Sequence, residues 1–270
     1  MAKRAVCVGI NDYPGTYNDL KGCVNDANDW MTLLREHFDF GDNITLLTDA
    51  EATKANILSA LGTLITSAKG GDLAVFTYSG HGTWVYDQGE RDESDNRDEA
   101  ICAYDGNIID DEIRETIRKI DREANLVIIS DSCHSGSVTR SMLKRTYNAD
   151  KKVAQYAPKP RFMPPVEDID AVKGPIVPIR RRFLYPESDM PEILLTGCNA
   201  KEYSYDAYID GRYNGAMTAM AIGLIKSNPK QTYRDFHKML RQILPSSRYQ
   251  QHPQLEGADV NKNTLLFMPR

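Results

Sequence analysis

The sequence places two residues that are suited to nucleophilic catalysis at the ends of two apolar segments. Residues 73–78 (LAVFTY) run into a glycine-containing turn with His81, and residues 126–130 (LVIIS) run into another with Cys133. A thiol becomes a strong nucleophile at neutral pH when a neighbouring imidazole takes its proton. We therefore predict a catalytic pair in which His81 is the base and Cys133 is the nucleophile.

The glycine that follows the histidine serves the same chemistry. Gly82 has no side chain, so its backbone can approach a bound substrate closely. Its N–H and that of Cys133 are suited to hold the negative charge that develops on a carbonyl oxygen under attack. We predict an oxyanion hole formed by these two residues. His134 is a weaker candidate for the base, because adjacent residues of an extended segment point to opposite faces.

Two polar residues predict the substrate that this pair would accept. Asp131 lies two positions before Cys133, and Ser79 lies two positions before His81, so each pair shares one face of its strand. A carboxylate beside the nucleophile favours a cationic side chain, and it favours Arg more than Lys because Arg binds in a bidentate manner. The sequence thus predicts cleavage after Arg or Lys. The competing interpretation is that Asp131 is a solvated turn residue.

These residues need a framework that brings two strand ends together. Apolar strand-like segments alternate with amphipathic segments along the chain, which predicts an α/β fold whose central sheet is mostly parallel, with helices on both faces. Such sheets bind ligands beyond the carboxyl ends of their strands. The predicted strands are 4–10, 44–47, 73–78, 100–104, 126–130, 193–196 and 264–268, and the predicted helices are 25–38, 53–67, 110–120, 214–226 and 232–244.

A change in composition divides the single predicted domain into three parts. Residues 1–138 carry the catalytic motifs, residues 139–188 are basic and rich in proline, and residues 189–270 return to strand and helix patterns. A long loop of this kind is typically functional or disordered. An enzyme that cuts after basic residues has possible self-cleavage sites there, although a plain basic surface loop remains an equal alternative. The candidates are Arg140, Lys144, Arg145, Arg180, Arg181 and Arg182.

The overall composition limits the classes of function. The 270 residues are 41% hydrophobic and 26% charged, which is ordinary for a globular protein, and the net charge of −5 argues against binding to nucleic acid or to an anionic membrane. No apolar run reaches the length of a membrane span. The five cysteines are dispersed without a Cys-x-x-Cys pair, which is typical of a reducing compartment. We expect a cytoplasmic protein.

Five motifs resemble those of one family of peptidases, the metacaspases. YSGHG at 78–82 and DSCHSG at 131–136 are similar to the catalytic histidine and cysteine motifs of this family. LKGCVNDA at 20–27, IIDD at 108–111 and NGAMT at 214–218 resemble three further family segments. The 52 positions between histidine and cysteine agree with the interval of about 50 in caspases. Without a prodomain before the first strand, the nearest relatives would be the compact prokaryotic forms, the orthocaspases.

The resemblance implies a caspase-like (caspase–hemoglobinase) fold and cysteine endopeptidase activity on polypeptides with Arg or Lys before the scissile bond. It also implies that Asp26 is a second acid of the pocket, although Asp26 has the alternative of merely flanking a helix start. Caspases carry Gln in the corresponding cysteine motif and choose Asp, whereas Asp131 should repel that side chain. Metacaspases are generally monomeric, so a monomer is favoured while the oligomeric state stays open.

The resemblance raises the question of calcium. Many metacaspases bind it through an acidic pair that Asp110 and Asp111 match, and Asp95 or Asp98 would supply a third oxygen ligand. The seventh position after the nucleophile, where an acid is expected, is Arg140. Because a cation there opposes calcium, we expect no metal and no other cofactor, with calcium dependence as the alternative.

Two other functions remain as alternatives. A caspase-fold interaction module would have lost members of the catalytic pair or the pocket acid, and none is lost here. A legumain-like peptidase or ligase that is specific for Asn would share the fold and the pair, but an acidic pocket does not suit a neutral side chain. Both alternatives make a different prediction about which peptides are cleaved.

Overall fold

The computed structural model describes residues 1–15, 17–86, 97–133, 156–164 and 187–269. The strands are β1 (Lys3–Gly9), β2 (Ile44–Thr48), β3 (Leu73–Ser79), β4 (Gly82–Tyr86), β5 (Arg97–Ala103), β6 (Gly106–Ile109), β7 (Asn125–Asp131), β8 (Lys159–Pro160), β9 (Glu192–Thr196), β10 (Tyr205–Ile209), β11 (Arg212–Gly215) and β12 (Gln254–Glu256). The helices are α1 (Cys23–His37), α2 (Lys54–Ser67), α3 (Asp110–Ile117), α4 (Ala216–Ser227), α5 (Tyr233–Ile243) and α6 (Asp259–Lys262). Among the helices described, none has both the length and the apolar character that crossing a membrane requires.

A six-stranded sheet forms the centre, in the order β12-β9-β7-β3-β1-β2. Neighbouring strands are parallel except for β12, which runs antiparallel to β9 at one edge. The predicted α/β architecture with a mostly parallel sheet is confirmed. Two small antiparallel sheets accompany it: β4-β5-β6, which continues directly from β3, and β8-β10-β11.

Helices cover both faces of the central sheet because its strands carry apolar side chains on both faces. In β1, Ala5 and Cys7 belong to one buried cluster, and Val6 and Val8 belong to the other. The first cluster includes the buried apolar residues of α4 and α5 and those of α1 from Ala27 onwards, and the second includes those of α2 and α3 together with Cys23. The alternation along each strand therefore produces two cores, one on each side of the sheet.

One predicted strand is wrong. The sequence predicts a last strand at 264–268, whereas the antiparallel edge strand is β12, and Leu265 makes only an isolated bridge with Thr232. Phe267 has a φ of 48°, which is outside the extended region. Its buried ring packs edge-on against Trp30, Phe38 and Tyr233. This apolar segment thus fills the core beside the sheet without joining the ladder.

The segment predicted as a basic linker is described in two short pieces, 156–164 and 187–188. In the first piece, Lys159 and Pro160 form β8, which pairs antiparallel with β10. The six self-cleavage candidates that the sequence suggests lie outside the described residues.

Parallel register sets the geometry of the site. Ser79 at the end of β3 pairs with Asp131 at the end of β7. The chain then leaves both strands at the same edge of the sheet, so that His81 and Cys133 each follow two residues later. The fold thereby positions both motifs at one edge.

Candidate active site

The histidine and cysteine motifs meet at the carboxyl edge of the sheet. Both side chains are fully buried, at 0% exposure. The backbone between them is in close contact, since a Cβ added to Gly82 would overlap the carbonyl oxygen of Cys133. Only glycine fits at this position.

Hydrogen bonding fixes the tautomer of His81. Its Nε2 lies 2.6 Å from the carbonyl oxygen of Asn18, and a carbonyl can only accept, so Nε2 carries the proton. Nδ1 is buried and has no hydrogen-bond partner among the residues described, which leaves its lone pair available. Tyr13 holds the residue from the other side, through a bond from the His81 N–H to its hydroxyl (2.8 Å) and a ring contact of 4.9 Å.

Burial keeps the imidazole neutral. Together with the nearby cations Lys159 and Arg161, burial lowers the pKa of His81 from 6.5 to about 4, against the opposing effect of the hydrogen bond to Asn18. At neutral pH the ring is therefore uncharged and able to accept a proton at Nδ1.

The thiol of Cys133 lies against the loop that precedes β10. Its Sγ accepts a hydrogen bond from the N–H of Ser204 at 2.8 Å and donates to the carbonyl oxygen of the same residue at 3.3 Å. It belongs to a small buried cluster with Cys198 and Tyr203.

A buried arginine occupies the pocket beside this pair. The side chain of Arg161 is 0% exposed. Its Nη2 lies 2.7 Å from Asp26 Oδ2 and 3.1 Å from Asp206 Oδ1. Its Nη1 lies 3.0 Å from Ser79 Oγ and 3.4 Å from Asp131 Oδ2. Three carboxylates and a hydroxyl thus surround one guanidinium group.

Backbone and side-chain donors orient two of these carboxylates. Asp26 accepts from the N–H of Gly215 at 2.9 Å and from Asn214 Nδ2 at 2.9 Å. Asp131 accepts from both the N–H (3.0 Å) and the hydroxyl (2.7 Å) of Thr218, in the first turn of α4, where the helix end favours negative charge. Because 0% of Asp26 and 1% of Asp131 are exposed, neither residue is a solvated surface acid.

Opposing effects act on the pKa of Asp26 in this pocket. Burial and the neighbouring charge of Asp131 raise the pKa of Asp26 from 3.8 to about 6, against the opposing effects of the Arg161 charge and of the hydrogen bonds from Asn214 and Arg161. The charge of Arg161 thus favours the ionised form of Asp26.

The backbone of Arg161 occupies the predicted oxyanion hole. Its carbonyl oxygen accepts from the N–H of Gly82 at 3.0 Å and from the N–H of Cys133 at 3.2 Å. Its own N–H donates to the carbonyl oxygen of Ser204 at 2.9 Å, the same oxygen that accepts from the thiol. Arg161 therefore has its side chain in the acidic pocket and its carbonyl at the two N–H groups.

The residues on either side of Arg161 continue through the cleft in an extended form. Before it, β8 pairs with β10, with Pro160 opposite Tyr205. After it, Phe162 bridges to Gly82, whose carbonyl oxygen accepts the N–H of Met163 at 2.9 Å. The segment 159–163 is bound by addition to existing strands, which is the way many proteins bind an extended peptide.

The sequence did not indicate that two of these residues, Asp206 and Arg161, belong to the site. Asp206 is held by the N–H groups of Lys21 (2.9 Å) and Gly22 (3.0 Å) and completes the acidic pocket. Its signal is weak, because a single acid in a strand of the third part of the chain is also typical of a surface. Arg161 had no distinguishing signal either, since Arg182 is likewise followed by an aromatic residue, Phe183.

The metal candidates do not form a complete site in the described part of the chain. Asp110 and Asp111 open α3, and Asp110 Oδ2 pairs with Arg114 Nε at 3.0 Å. Across 1–15, 17–86, 97–133, 156–164 and 187–269, no group of three His, Cys, Asp or Glu residues is placed to hold an ion. Asp98 lies in β5, whereas Asp95 and Arg140 fall outside these ranges.

Comparison with known proteins identifies the family. A family model described as "Metacaspase, peptidase C14 domain" matches residues 3–141. This chain belongs to the metacaspase family. The matched region contains both catalytic motifs, and membership in a family of cysteine peptidases implies that the substrates are polypeptides.

Individual relatives extend this metacaspase similarity over nearly the whole chain. Metacaspase-1A of Aspergillus fumigatus is 31% identical over 297 residues, covering 98% of this chain and 71% of the relative. Metacaspase-4 of Arabidopsis thaliana is 40% identical over 162 residues, covering 57% of this chain and 38% of the relative. A crystal structure of a protein from Geobacter sulfurreducens superposes with a TM-score of 0.73 at 26% identity, covering 100% of this chain and 99% of that one. The predicted caspase-like fold is confirmed.

The state of the metacaspase histidine can be measured directly. In a Cys133→Ala protein, we expect nitrogen NMR shifts to show His81 neutral, with the proton on Nε2, at every pH from about 5.5 upwards, because its pKa of about 4 lies well below that range. The exposed His37 provides an internal reference in the same spectra. An imidazolium signal from His81 at pH 6.5, or a proton on Nδ1, would contradict the geometry.

Proposed function

We propose that this metacaspase is a cysteine endopeptidase that hydrolyses the peptide bond after Arg or Lys, with His81 and Cys133 as its catalytic pair. The observation that carries the proposal is the position of Arg161. Its guanidinium lies among three carboxylates while its carbonyl oxygen lies 3.0 and 3.2 Å from two backbone N–H groups. A peptide substrate would need its basic side chain and its scissile carbonyl group in these two positions just before the thiolate attacks.

The proposed reaction uses the neutral imidazole of His81, the thiol of Cys133, which turns to it from the carbonyl oxygen of Ser204, and two backbone N–H groups. Nδ1 of His81 takes the thiol proton of Cys133, and the thiolate attacks the carbonyl carbon of the basic residue. The N–H groups of Gly82 and Cys133 stabilise the resulting oxyanion. His81 then gives its proton to the departing amine, which leaves a thioester. A water molecule, deprotonated by His81, hydrolyses the thioester and restores the thiol.

Charge in the pocket explains the choice of substrate. A guanidinium group or an ammonium group neutralises carboxylates that are otherwise buried together, and Arg also fits their geometry with two nitrogens. An Asp side chain would add a fourth negative charge. An Asn side chain, as in the legumain-like alternative, would leave the carboxylates without a counter-ion, which is costly in a buried site.

The alternative of an inactive interaction module makes no use of this geometry. A vestigial site has no need for a fixed imidazole tautomer or for two convergent N–H groups. The described residues retain each of these features, which favours catalysis.

We further propose that the enzyme cleaves its own Arg161–Phe162 bond, because this bond is the one held at the catalytic pair. The linker candidates around Arg140 and Arg180 stay untested predictions.

Peptide cleavage tests the proposed activity. Matched fluorogenic peptides ending in Arg, Lys, Asp or Asn would be incubated with the purified protein, with and without calcium. We expect cleavage after Arg and Lys only, and none from a Cys133→Ala protein. Cleavage after Asn or Asp would overturn the assigned specificity. Silence on every peptide, both from this protein and from an Arg161→Gln variant whose pocket lacks its own guanidinium, would favour the interaction module.

The isosteric variant Asp131→Asn tests the pocket separately from the nucleophile. We expect kcat/KM for the Arg peptide to fall roughly 10- to 100-fold, since a hydrogen bond to a charged group contributes about 1.5–3 kcal/mol. The variant Asp259→Asn, at an exposed carboxylate remote from the pocket, serves as the matched control. Unchanged kcat/KM in Asp131→Asn would show that Asp131 does not read the substrate.

Self-cleavage is tested on the intact chain. After incubation, we expect a carboxyl-terminal fragment whose first residue is Phe162, and we expect none from Cys133→Ala or from Arg161→Gln. Amino-terminal sequencing identifies the bond. Fragments that begin after Arg140 or Arg180 alone would move the site to the linker candidates, and an uncut chain that still cleaves Arg peptides would remove self-processing from the proposal.

A further inference from the structure

The two residues that follow the proposed scissile bond, Phe162 and Met163, contact different parts of the cleft. The ring of Phe162 packs against Tyr203 with a centroid distance of 6.5 Å and an interplanar angle of 57°. It joins the buried cluster that contains the nucleophile, Cys133, together with Cys198. The first position after the bond is therefore in contact with an aromatic wall directly beside the catalytic thiol.

This aromatic wall is part of the fold and does not depend on Phe162 for its position. Tyr203 is 9% exposed and packs edge-on against Tyr205 at 6.4 Å, and Tyr205 in turn contacts the ring of Tyr249. Burial raises the pKa of Tyr203, and the neighbouring Cys133 contributes to this, which agrees with the short distance to the site. A rigid ring next to the thiol favours a planar side chain over a small polar one.

The second residue after the bond is held by the backbone and enters a different pocket. The N–H of Met163 donates to the carbonyl oxygen of Gly82 at 2.9 Å, which fixes the register of the chain beyond the bond. Its side chain packs against the apolar cluster beneath the small β4-β5-β6 sheet. It also lines a cavity of about 290 Å³ with Tyr13, Cys102 and Ala103.

We infer that the cleft recognises the two residues that follow the cut, an aromatic residue first and an apolar residue second. The inference rests on the proposed function, since it takes the segment 159–163 as the enzyme's own substrate. Its substrate class is a polypeptide in which Arg or Lys is followed by an aromatic and then an apolar side chain. Tyr203 is the residue that determines the preference at the first of these positions.

A pair of internally quenched peptides tests this inference. One peptide carries Lys-Pro-Arg-Phe-Met at its centre, the other carries Lys-Pro-Arg-Ser-Met, and kcat/KM is measured for both with the full chain. We expect the Phe peptide to be favoured roughly 3- to 10-fold, the range that an aromatic pair contributes. A third peptide with Lys-Pro-Arg-Phe-Asp tests the second position and should also be cleaved more slowly than the first.

Variants of Tyr203 locate the effect. Tyr203→Phe keeps the ring and should keep the Phe-to-Ser ratio, whereas Tyr203→Leu should bring that ratio close to one. Comparing the ratio within each variant cancels any general loss of activity or of folded protein. If either variant fails to fold, the wild-type ratio still decides the matter.

The outcomes separate this inference from the proposed function. Equal cleavage of all three peptides after Arg overturns the inference and leaves the Arg specificity intact. A Phe preference that survives unchanged in Tyr203→Leu overturns the role of Tyr203. If none of the peptides is cleaved, even by the Arg161→Gln variant whose pocket lacks its own guanidinium, the proposed function fails and the inference fails with it.

Discussion

The organisation of this site depends on one interaction, the burial of the Arg161 guanidinium among Asp26, Asp131 and Asp206. Carboxylates that are removed from water destabilise a fold unless a counter-ion and hydrogen bonds compensate them. The three acids come from α1, β7 and β10, so their positions bring together parts of the chain that are far apart in sequence. The pocket consequently depends on the whole fold. Its buried carboxylates need a cationic partner, which is either the side chain of Arg161 or that of a substrate.

Meeting this requirement with the protein's own chain has a consequence for function. A tethered segment acts at an effective concentration that is typically millimolar, so it outcompetes a free substrate that is present at micromolar concentration. While Arg161 stays in the pocket, external peptides are excluded from both the pocket and the two N–H groups of the oxyanion hole. Cleavage of the bound segment would end the tether on one side and allow it to leave. Under the proposed function, the same contacts would serve both substrate recognition and restraint of the enzyme.

The sequence predicted much of the fold and the edge of the sheet at which His81 and Cys133 lie, because those features depend on local patterns. Apolar strands that end in glycine-containing turns indicated His81 and Cys133, and parallel strands brought the two turns to one edge. Arg161 and Asp206 were not predicted because their importance depends on contacts between distant parts of the chain. Arg161 is 135 positions from Asp26 and 45 positions from Asp206, and no periodicity in the sequence reveals such contacts. The predicted last strand at 264–268 was wrong for a related reason. Its apolar residues are needed to fill the core, and an apolar run does not distinguish that use from a place in the sheet.

The rate at which Cys133 is labelled tests directly whether Arg161 occupies the substrate position. A peptidyl-arginine electrophile that alkylates Cys133 would be applied to the intact chain and to an Arg161→Gln variant, with labelling followed by intact mass. The account predicts slow labelling of the intact chain and labelling many times faster in the variant, where the pocket lacks its own guanidinium. Equal labelling rates in two folded proteins would contradict the claim that Arg161 occupies the substrate position.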